Sequence, residues 1–543
     1  MKNFQLSALN FTLVSALFLL LTQNTLFFTT LIRLTEVKRA GDLLFIVVVP
    51  VMVFFALNIC LTFFSLPYVR RVFMAVFLAV GPVVVYYMYS YNILIDADMI
   101  RNVFQTNYAE TFELLSLQFV FLFLFLGFLP AVFFLKIRIK PEPSLFKALQ
   151  WRLLNISLSF LLLSGLFFFT YKDCSSFFRN YKWTLKQLVP SNYISGLYNY
   201  YDEYREKHRR LVQIGLDAEQ GELLRTAQKP LLFVFVAGEA ARAQNFSLGS
   251  YERETNPLLS REDLIYFDGI KACNTSTATS LPCLFSDRPR VKYKSADAYF
   301  RENALDIVQR AGIDVLWIGN NGGCKGICGR VQDIIIRDKD RVSSLCSGGS
   351  CWDSILEEKL ETFVTQLDAG NDAMVILHQI GSHGPAYYKR YPPEYRYFSP
   401  TCDTNIIKDC TTEALVNTYD NTLLYTDAML SSLINLLKEK AEDYLTVLVY
   451  TSDHGESLGE NGLFLHATPY PLAPDEQLKV PLIFWVSAEY ADSFNIDMNC
   501  LRDISTNASE FSHDNIFHTI LGIMDVRASE YEPKLDLVGQ CRK

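Results

Sequence analysis

Residues 231–239 read LLFVFVAGE, an eight-residue apolar run that is followed directly by an acidic side chain. Four more apolar runs of strand length lie further along the chain, at 313–319, 373–380, 445–452 and 480–487. Patterns typical of helices lie among these runs, near 297–311, 353–369 and 412–440. Continuous apolar strands that alternate with helices indicate a mostly parallel sheet covered on both faces. Residues 216–543 are therefore predicted to form an α/β domain.

Upstream of this domain the chain is much more apolar. A helix that crosses a membrane needs about 20 mostly apolar residues. Five stretches meet this requirement without a charged residue, at roughly 9–32, 43–64, 72–95, 117–135 and 153–171. We therefore expect a transmembrane domain of five helices over residues 1–172. Residues 173–215 begin with aromatic and basic side chains suited to a bilayer interface, and are predicted to form an interfacial helix and a linker.

Two features place the α/β domain outside the cytoplasm. Short loops rich in Lys and Arg stay inside, and with the N-terminus inside, eight basic residues fall in the inner loops and four in the outer ones. Ten of the twelve cysteines follow residue 272, and eight of these form neighbouring pairs with gaps of 10, 4, 5 and 8 residues. Closely spaced cysteines in even number indicate disulfides and an oxidising compartment. Five disulfides are expected.

Acidic and imidazole side chains follow three of the predicted strands. Glu239 comes directly after the first strand, Asp453 and His454 follow the fourth, and His378 and His383 lie at the end of the third. Ligands of open α/β sheets gather beyond the carboxyl ends of the strands, and Zn²⁺ binds carboxylate oxygen and imidazole nitrogen. Taken singly, these residues have simpler explanations, such as a helix cap, a loop acid or a buried hydrogen-bonded histidine. Together they predict a zinc site with an open position for a reactive ligand.

The loop CNTSTATSLPC (273–283) offers hydroxyl groups for that open position. It has the pattern of a loop that opens into a helix, whose first N–H groups suit a phosphate. A zinc ion lowers the pKa of a bound hydroxyl and makes it nucleophilic. The residues alone do not choose between four candidates, Thr275, Ser276, Thr277 and Thr279, and polar loop filler is the alternative.

A polar segment, 96–113, lies between the third and fourth predicted spans and faces outward. If it is helical, Asn102, Thr106 and Glu110 fall on one face. Composition alone favours a solvated connector over a surface that binds lipid headgroups.

Charge and span composition exclude two classes of function. The net charge of −8, without a recognised basic cluster in the soluble part, argues against nucleic acid as a partner. The spans lack the ionisable residues of a transport pathway, which argues against a transporter.

Five motifs in the same order carry a resemblance to a known family. They are CNTSTATSLPCLFS (273–286), CKGICGR (324–330), LHQIGSHGPAYYKRYP (377–392), YTSDHGESLGENGLFLHATPY (450–470) and SHDNIFHTILG (512–522). The chain resembles the phosphoethanolamine transferases that modify lipid A, including the mobile colistin-resistance enzymes, within the alkaline phosphatase/sulfatase superfamily. The resemblance covers nearly the whole chain.

The resemblance implies a role for each candidate residue. Thr277 is the nucleophile, and it completes a zinc site with Glu239, Asp453 and His454. Further positions match substrate contacts: His383 and His466 at the phosphate or a second zinc, Lys325 as a nearby basic contact, and His378 in support. Asn102, Thr106 and Glu110 match a membrane-side triad for lipid substrate. His513 and His518 are expected to be structural. The segment NNGG (320–323) departs from the family pattern and leaves the headgroup contacts there open.

The implied reaction moves phosphoethanolamine from phosphatidylethanolamine to a phosphate of lipid A through a zinc-activated threonine intermediate. It places the chain in the bacterial inner membrane as a monomer, with a periplasmic catalytic domain, one tightly bound zinc and a second zinc left open. The donor, the acceptor and the bilayer are the expected partners, and the product weakens binding of polymyxin and colistin. Transfer to a core sugar of lipopolysaccharide, or glycerol-phosphate transfer, is the alternative.

Overall fold

The computed structural model describes residues 5–67, 69–91, 94–95, 99–100, 117–142, 144–206, 210–336, 344–347, 350–367, 370–405, 407–468 and 470–543. The chain divides into two compact units, Met1–Arg209 and Arg210–Lys543. The predicted membrane-side triad of Asn102, Thr106 and Glu110 lies outside the described residues.

The first unit consists mainly of apolar helices. The helices among its described residues are Ala8–Gln23, Thr25–Leu34, Ala40–Phe63, Arg70–Tyr91, Leu117–Lys136, Leu145–Asn180 and the more polar Ser191–Glu206. Four described helices are long and apolar enough to cross a membrane, and a bent pair raises the number to five if it forms one span. A short parallel pair, Gln5–Leu6 with Arg138–Ile139, completes the unit.

The first predicted span is broken at Asn24. The helices before and after it meet at 60°. The buried Asn24 amide donates to the carbonyls of Leu19 (3.1 Å) and Val189 (3.0 Å), and its oxygen accepts from the Val189 N–H (3.0 Å). These bonds satisfy backbone groups at the bend, which an apolar environment otherwise leaves without a partner.

The last predicted span belongs to a longer helix. Leu145–Asn180 runs for 36 residues, so the predicted domain boundary at residue 172 lies inside it. A polar contact joins it to Ala40–Phe63, where Asn58 Nδ2 donates to Asn155 Oδ1 over 3.1 Å. Hydrogen bonds of this kind hold apolar helices together in a membrane.

A seven-stranded sheet forms the centre of the second unit. Its strands in chain order are β1 Leu231–Gly238, β2 Ile265–Lys271, β3 Asp314–Gly319, β4 Gln332–Ile335, β5 Ala373–His378, β6 Leu445–Ser452 and β7 Lys479–Val486. They lie side by side in the order β2-β7-β6-β1-β5-β3-β4. Four of the six pairings are parallel, whereas β7 is antiparallel to both β6 and β2, so the sheet is mixed.

Two of these strands have no counterpart in the sequence prediction. The strand β2 reads IYFDGIK, with Asp268 exposed and Gly269 at a φ of +88°, and it pairs through a bulge at the edge of the sheet. The strand β4 is short and half-exposed at the opposite edge. Edge strands carry polar residues and lack the long apolar runs that mark buried strands.

The sheet is covered on both faces. Alternate side chains of β1 enter opposite cores, with Phe233 and Phe235 on one face and Val234 and Val236 on the other. The flanking helices are Glu222–Thr226, Thr277–Leu284, Asp297–Phe300, Ala304–Arg310, Ser354–Gln366, Thr412–Lys440, Asp475–Leu478, Ala488–Ser493, Met498–Ser505 and Ile516–Ile523. Short antiparallel pairs join Glu219–Gln220 to Val526–Arg527, Ser457–Leu458 to Phe464–Leu465, and Cys346–Ser347 to Ser350–Cys351.

The prediction of five disulfides is confirmed. The bonds are Cys273–Cys283, Cys324–Cys328, Cys346–Cys351, Cys402–Cys410 and Cys500–Cys541, all in the second unit. Cys60 and Cys174 in the first unit form no disulfide. This distribution agrees with an oxidising environment around the second unit alone.

Candidate active site

Two neighbouring strands bring three of the predicted ligands together. Glu239 follows β1, and Asp453 and His454 follow β6, whose last residue pairs with the last residue of β1. Because the two strands are parallel and in register, their carboxyl ends lie side by side. All three side chains are fully buried, and one ligand atom from each lies within 4.8 Å of the others.

Thr277 lies beside these ligands at the first position of the helix Thr277–Leu284, here called the Thr277 helix. Its hydroxyl donates to Glu239 Oε1 over 2.8 Å and lies 3.3 Å from His454 Nε2. By contrast, the Thr275 hydroxyl donates to the carbonyl of Thr468, and the Thr279 hydroxyl shares a hydrogen bond with Ser295. Among these three threonines, only Thr277 has its hydroxyl against the predicted ligands.

The loop that carries Thr277 is held from several sides. The disulfide Cys273–Cys283 closes it, and the Ser280 hydroxyl donates to the carbonyl of Asp453 over 2.6 Å. On another side, the Cys273 N–H donates to Nδ1 of the buried His513 (3.0 Å), so the proton of this imidazole is on Nε2, which donates to the carbonyl of Ser452 (3.1 Å). His513 therefore links the loop directly to the end of β6, and its placement agrees with a structural role.

Burial and charge set the protonation of the three ligands. Burial opposes ionisation of Glu239, but the hydrogen bond and the charge of His454 outweigh it and hold the pKa of this carboxyl well below its usual range. Burial and the negative charge of Glu239 raise the pKa of Asp453 to about 7. Burial favours a neutral His454, yet the charges of Asp453 and Glu239 raise its pKa to about 10. A strongly negative field therefore surrounds the imidazole.

The three ligands fit a divalent cation. Within the described residues, Asp453 Oδ2 is buried and accepts no hydrogen bond, and His454 Nε2 lies 3.5 Å from it. Two carboxylates and one imidazole are a donor set suited to Zn²⁺, and three protein ligands leave a further position open. The same negative field that stabilises a proton on His454 stabilises a cation at this place.

The other predicted histidines lie near the three ligands. His378 Nε2 is 4.0 Å from Glu239 Oε2, and burial lowers the pKa of His378 to about 4, so this side chain is neutral. The ring of His466 lies 4.3 Å from that of His454 and 6.0 Å from that of His383. His466 Nδ1 is 3.1 Å from Glu456 Oε2, a carboxylate that holds the imidazole in place.

Lys325 and His518 are placed differently. Lys325 has a φ of +52°, and its ammonium group donates to the carbonyl of Gly322 over 2.8 Å. No hydrogen bond or ion pair joins it to the three ligands within the part of the chain that the structure describes. His518 Nδ1 accepts from the Glu532 N–H over 3.1 Å, away from the ligands, as a structural residue does.

Asn321 is a site residue that the sequence did not reveal. Its amide donates to Glu239 Oε2 over 2.6 Å, so both oxygens of this carboxylate accept a hydrogen bond. The adjacent Asn320 amide donates to the buried Asp353, which also accepts the N–H groups of Ile380 and Gly381. The segment 320–323 therefore supports the site directly. In the sequence, the only indication of this role was that two consecutive amides directly follow an apolar strand.

The chain is similar to known proteins over its whole length. A model of the sulfatase family matches residues 232–526, and a model described as phosphoethanolamine transferase EptA/EptB matches residues 53–204. Phosphoethanolamine transferase EptA of Escherichia coli (strain K12) is 41% identical over 100% of this chain and 98% of its own length. Phosphatidylethanolamine transferase Mcr-1 of Escherichia coli is 33% identical over 96% of this chain and 95% of its own. The solved integral membrane protein lipooligosaccharide phosphoethanolamine transferase A (EptA) from Neisseria meningitidis superposes with a TM-score of 0.64 at 37% identity, covering 99% of this chain and 100% of that one.

Proposed function

The chain belongs to the lipid A phosphoethanolamine transferases of the sulfatase superfamily, and we propose that it moves the group from phosphatidylethanolamine to a lipid A phosphate through Thr277. One observation carries the choice of nucleophile. The Thr277 hydroxyl lies at a helix N-terminus, 2.8 Å from a Glu239 oxygen and 3.3 Å from a His454 nitrogen. A hydroxyl in such a place combines a proton acceptor, a cation site and backbone N–H groups for a phosphate.

Glu239, Asp453, His454 and Thr277 would hold one Zn²⁺ ion. When bound, zinc supplies positive charge that favours the ionised hydroxyl and offsets the charge of the phosphate. The buried Asp453 Oδ2 supports this assignment, because it accepts no hydrogen bond and a cation would satisfy it together with His454 Nε2, 3.5 Å away.

The transfer takes place in two half-reactions. First, Thr277 Oγ1 bonds to the phosphorus of phosphatidylethanolamine as its hydroxyl proton passes to Glu239 Oε1, which accepts its hydrogen bond. The bond from phosphorus to the glycerol oxygen breaks, and diacylglycerol leaves with that proton. Second, an oxygen of the monoprotonated acceptor phosphate bonds to the same phosphorus, the bond to Thr277 Oγ1 breaks, and the proton of the acceptor phosphate returns to Thr277 Oγ1.

Basic side chains around Thr277 are suited to the phosphate oxygens. We assign His383 and His466 to this role, with Lys325 at the rim and His378 in support of Glu239. A second metal ion at His383 and His466 remains the alternative use of these imidazoles. Donors placed where negative charge develops lower the barrier to transfer because they need no reorganisation.

The proposed location is the bacterial inner membrane, with the second unit in the periplasm. The apolar helices of the first unit and the five disulfides of the second support it. The triad of Asn102, Thr106 and Glu110 stays a prediction for lipid substrate, and we expect the active form to be a monomer.

Mass spectrometry of lipid A from cells that express the protein tests the proposal. We expect lipid A to gain phosphoethanolamine with the wild type and with Ser276→Ala, which removes a neighbouring hydroxyl. Thr277→Ala abolishes the gain. Persistent modification by Thr277→Ala contradicts the choice of nucleophile, and phosphoethanolamine on core sugars in place of lipid A contradicts the choice of acceptor.

A further inference from the structure

A short basic run, RPRVKYK (288–294), follows the Thr277 helix closely in sequence. Four of its seven residues are basic: Arg288, Arg290, Lys292 and Lys294. The expectation that the soluble part has no basic cluster is therefore wrong. The run is short and the chain as a whole is acidic, so the overall charge hides it.

The basic run is fixed beside the loop that carries Thr277. At its end, the Ser295 hydroxyl shares a 3.0 Å hydrogen bond with Thr279 on the Thr277 helix. At its start, the Arg290 guanidinium lies 4.1 Å from the centre of the Tyr470 ring. Tyr470 follows the segment whose Ala467 N–H donates to the carbonyl of Thr275 over 2.8 Å. The run therefore borders the loop on the side of Tyr470.

Two of the four basic side chains have their charge available. Arg288 pairs with Asp297 over 3.1 Å, and Arg290 stacks on Tyr470. Lys292 and Lys294 are exposed, and across the described ranges neither ammonium group makes a hydrogen bond or an ion pair. Two free positive charges therefore stand at the rim of the site.

Apolar side chains are exposed in the basic run and in the segment after Tyr470. Val291, within the run, is 75% exposed, and Leu472, two residues from the Tyr470 ring, is 76% exposed. Single exposed apolar residues are common on protein surfaces. Aliphatic side chains next to free lysines, however, are suited to an anionic lipid, whose charged head and apolar body need both kinds of contact.

We propose that Lys292, Lys294, Val291 and Leu472 form the surface that binds the phosphorylated glycolipid acceptor. This inference rests on the proposed function. Charge distinguishes the acceptor from the donor, because phosphatidylethanolamine has no net charge whereas the acceptor carries several negative charges. The acceptor phosphate must also approach a phosphate ester on Thr277, and two free lysines beside that point reduce the repulsion between them.

The test uses the full-length protein and separates the two half-reactions. Lys292→Gln/Lys294→Gln should raise the KM for lipid A in mixed vesicles roughly tenfold to thirtyfold, given two lysines near an anionic lipid surface. Its release of diacylglycerol from phosphatidylethanolamine should match the wild type. The control Lys438→Gln/Lys440→Gln removes the same formal charge where the helix Thr412–Lys440 ends, before β6 begins, although Lys438 there is paired with Glu262. It should leave the KM unchanged.

A binding measurement separates failure of this proposal from failure of the proposed function. Thr277→Ala protein in neutral detergent is titrated with lipid A, or with phosphatidylglycerol in its place, and the rise in Tm measures binding. Binding to lipid A that depends on Lys292 and Lys294 supports the surface even if no transfer occurs. Equal loss of binding to both lipids identifies a general contact with anionic lipid and overturns the proposal. An unchanged KM, or an equal loss of the donor half-reaction, also overturns it.

Discussion

Replacement of His513 measures how far the site depends on its link between the Thr277 loop and β6. The buried imidazole accepts from the Cys273 N–H at one nitrogen and donates to the carbonyl of Ser452 at the other. His513→Ala leaves the Cys273 N–H buried without an acceptor, at about 1–3 kcal/mol, and loses a second hydrogen bond worth about 1 kcal/mol. The Ser452 carbonyl loses less because the Thr451 hydroxyl also reaches it. The sum is about 2–4 kcal/mol.

The conservative replacement His513→Asn separates the contributions of the two hydrogen bonds to this loss of stability. The side-chain oxygen of His513→Asn can still accept from the Cys273 N–H, so only the bond to Ser452 is lost, at about 1 kcal/mol. At about 2–4 °C per kcal/mol, we expect Tm to fall by roughly 4–16 °C in the alanine variant and by roughly 2–4 °C in the asparagine variant. The rate of diacylglycerol release should fall in the same order, since a displaced nucleophile slows attack. Thermal unfolding of the full chain in detergent and the donor half-reaction measure both effects.

The dependence of stability on pH provides a second test of the role of His513. Burial lowers the pKa of His513 to about 3, whereas an unfolded histidine titrates near its ordinary value of about 6.5. Below that value the unfolded chain binds the additional proton, so stability is lost as the pH falls. From pH 7.5 to 5.5 the loss is about 1.4 kcal/mol, and His513→Asn lacks it. Relative to the wild type, the Tm of His513→Asn should therefore rise by roughly 3–6 °C at pH 5.5, which cancels or slightly reverses its deficit at pH 7.5. A constant difference, or an asparagine variant as unstable as the alanine variant, would refute the reasoning.

Two further predictions concern the ligands themselves. Removal of bound metal with a chelator should lower Tm, and added Zn²⁺ should restore it. At a thousandfold excess of Zn²⁺ over its Kd, binding adds about 4 kcal/mol to the free energy of unfolding. Asp453→Asn, which lacks one carboxylate ligand, should show no such recovery. Asn321→Ala removes a 2.6 Å hydrogen bond to the Glu239 carboxylate, worth about 1.5–3 kcal/mol, and should slow diacylglycerol release roughly tenfold to a hundredfold. Asn371→Ala, which removes an exposed amide from Asp314, should leave that rate unchanged; equal rates for both variants would contradict the role of Asn321.

The elements that could be predicted from the sequence are those whose residue types are determined by burial. The bounds of β1 and β6 match their predicted ranges, because strands buried on both faces need continuous apolar residues. Glu239 and Asp453 could be paired from sequence for the same reason, since parallel strands bring their carboxyl ends to one edge. The disulfides followed from spacing and a compartment argument.

The features that could not be predicted from the sequence depend on contacts between segments that are distant in the chain. The residues alone did not separate Thr277 from Thr275, whose hydroxyl is engaged by the carbonyl of Thr468, nearly 200 positions away. The sequence does not distinguish Asn321 from the other amide side chains. Only in the folded chain, where Asn321 follows β3, does its amide donate to Glu239. The break at Asn24 depends on its hydrogen bonds to Val189. The local sequence of an apolar helix does not reveal a hydrogen-bond partner so distant in the chain.

A single nucleophile that serves two lipids in turn must be fixed on one side and accessible on another. The disulfide, Ser280 and His513 attach the Thr277 loop to the ends of the ligand strands, so the oxygen keeps its place while the donor leaves. On the side of Tyr470, by contrast, Lys292 and Lys294 stand exposed, and no ion pair neutralises them within the described residues. Charges left free in this way cost little stability in water. They strengthen attraction to an anionic acceptor without tightening the hold on a donor that has no net charge. This asymmetry favours replacement of one lipid by the other, which a transfer through one threonine requires.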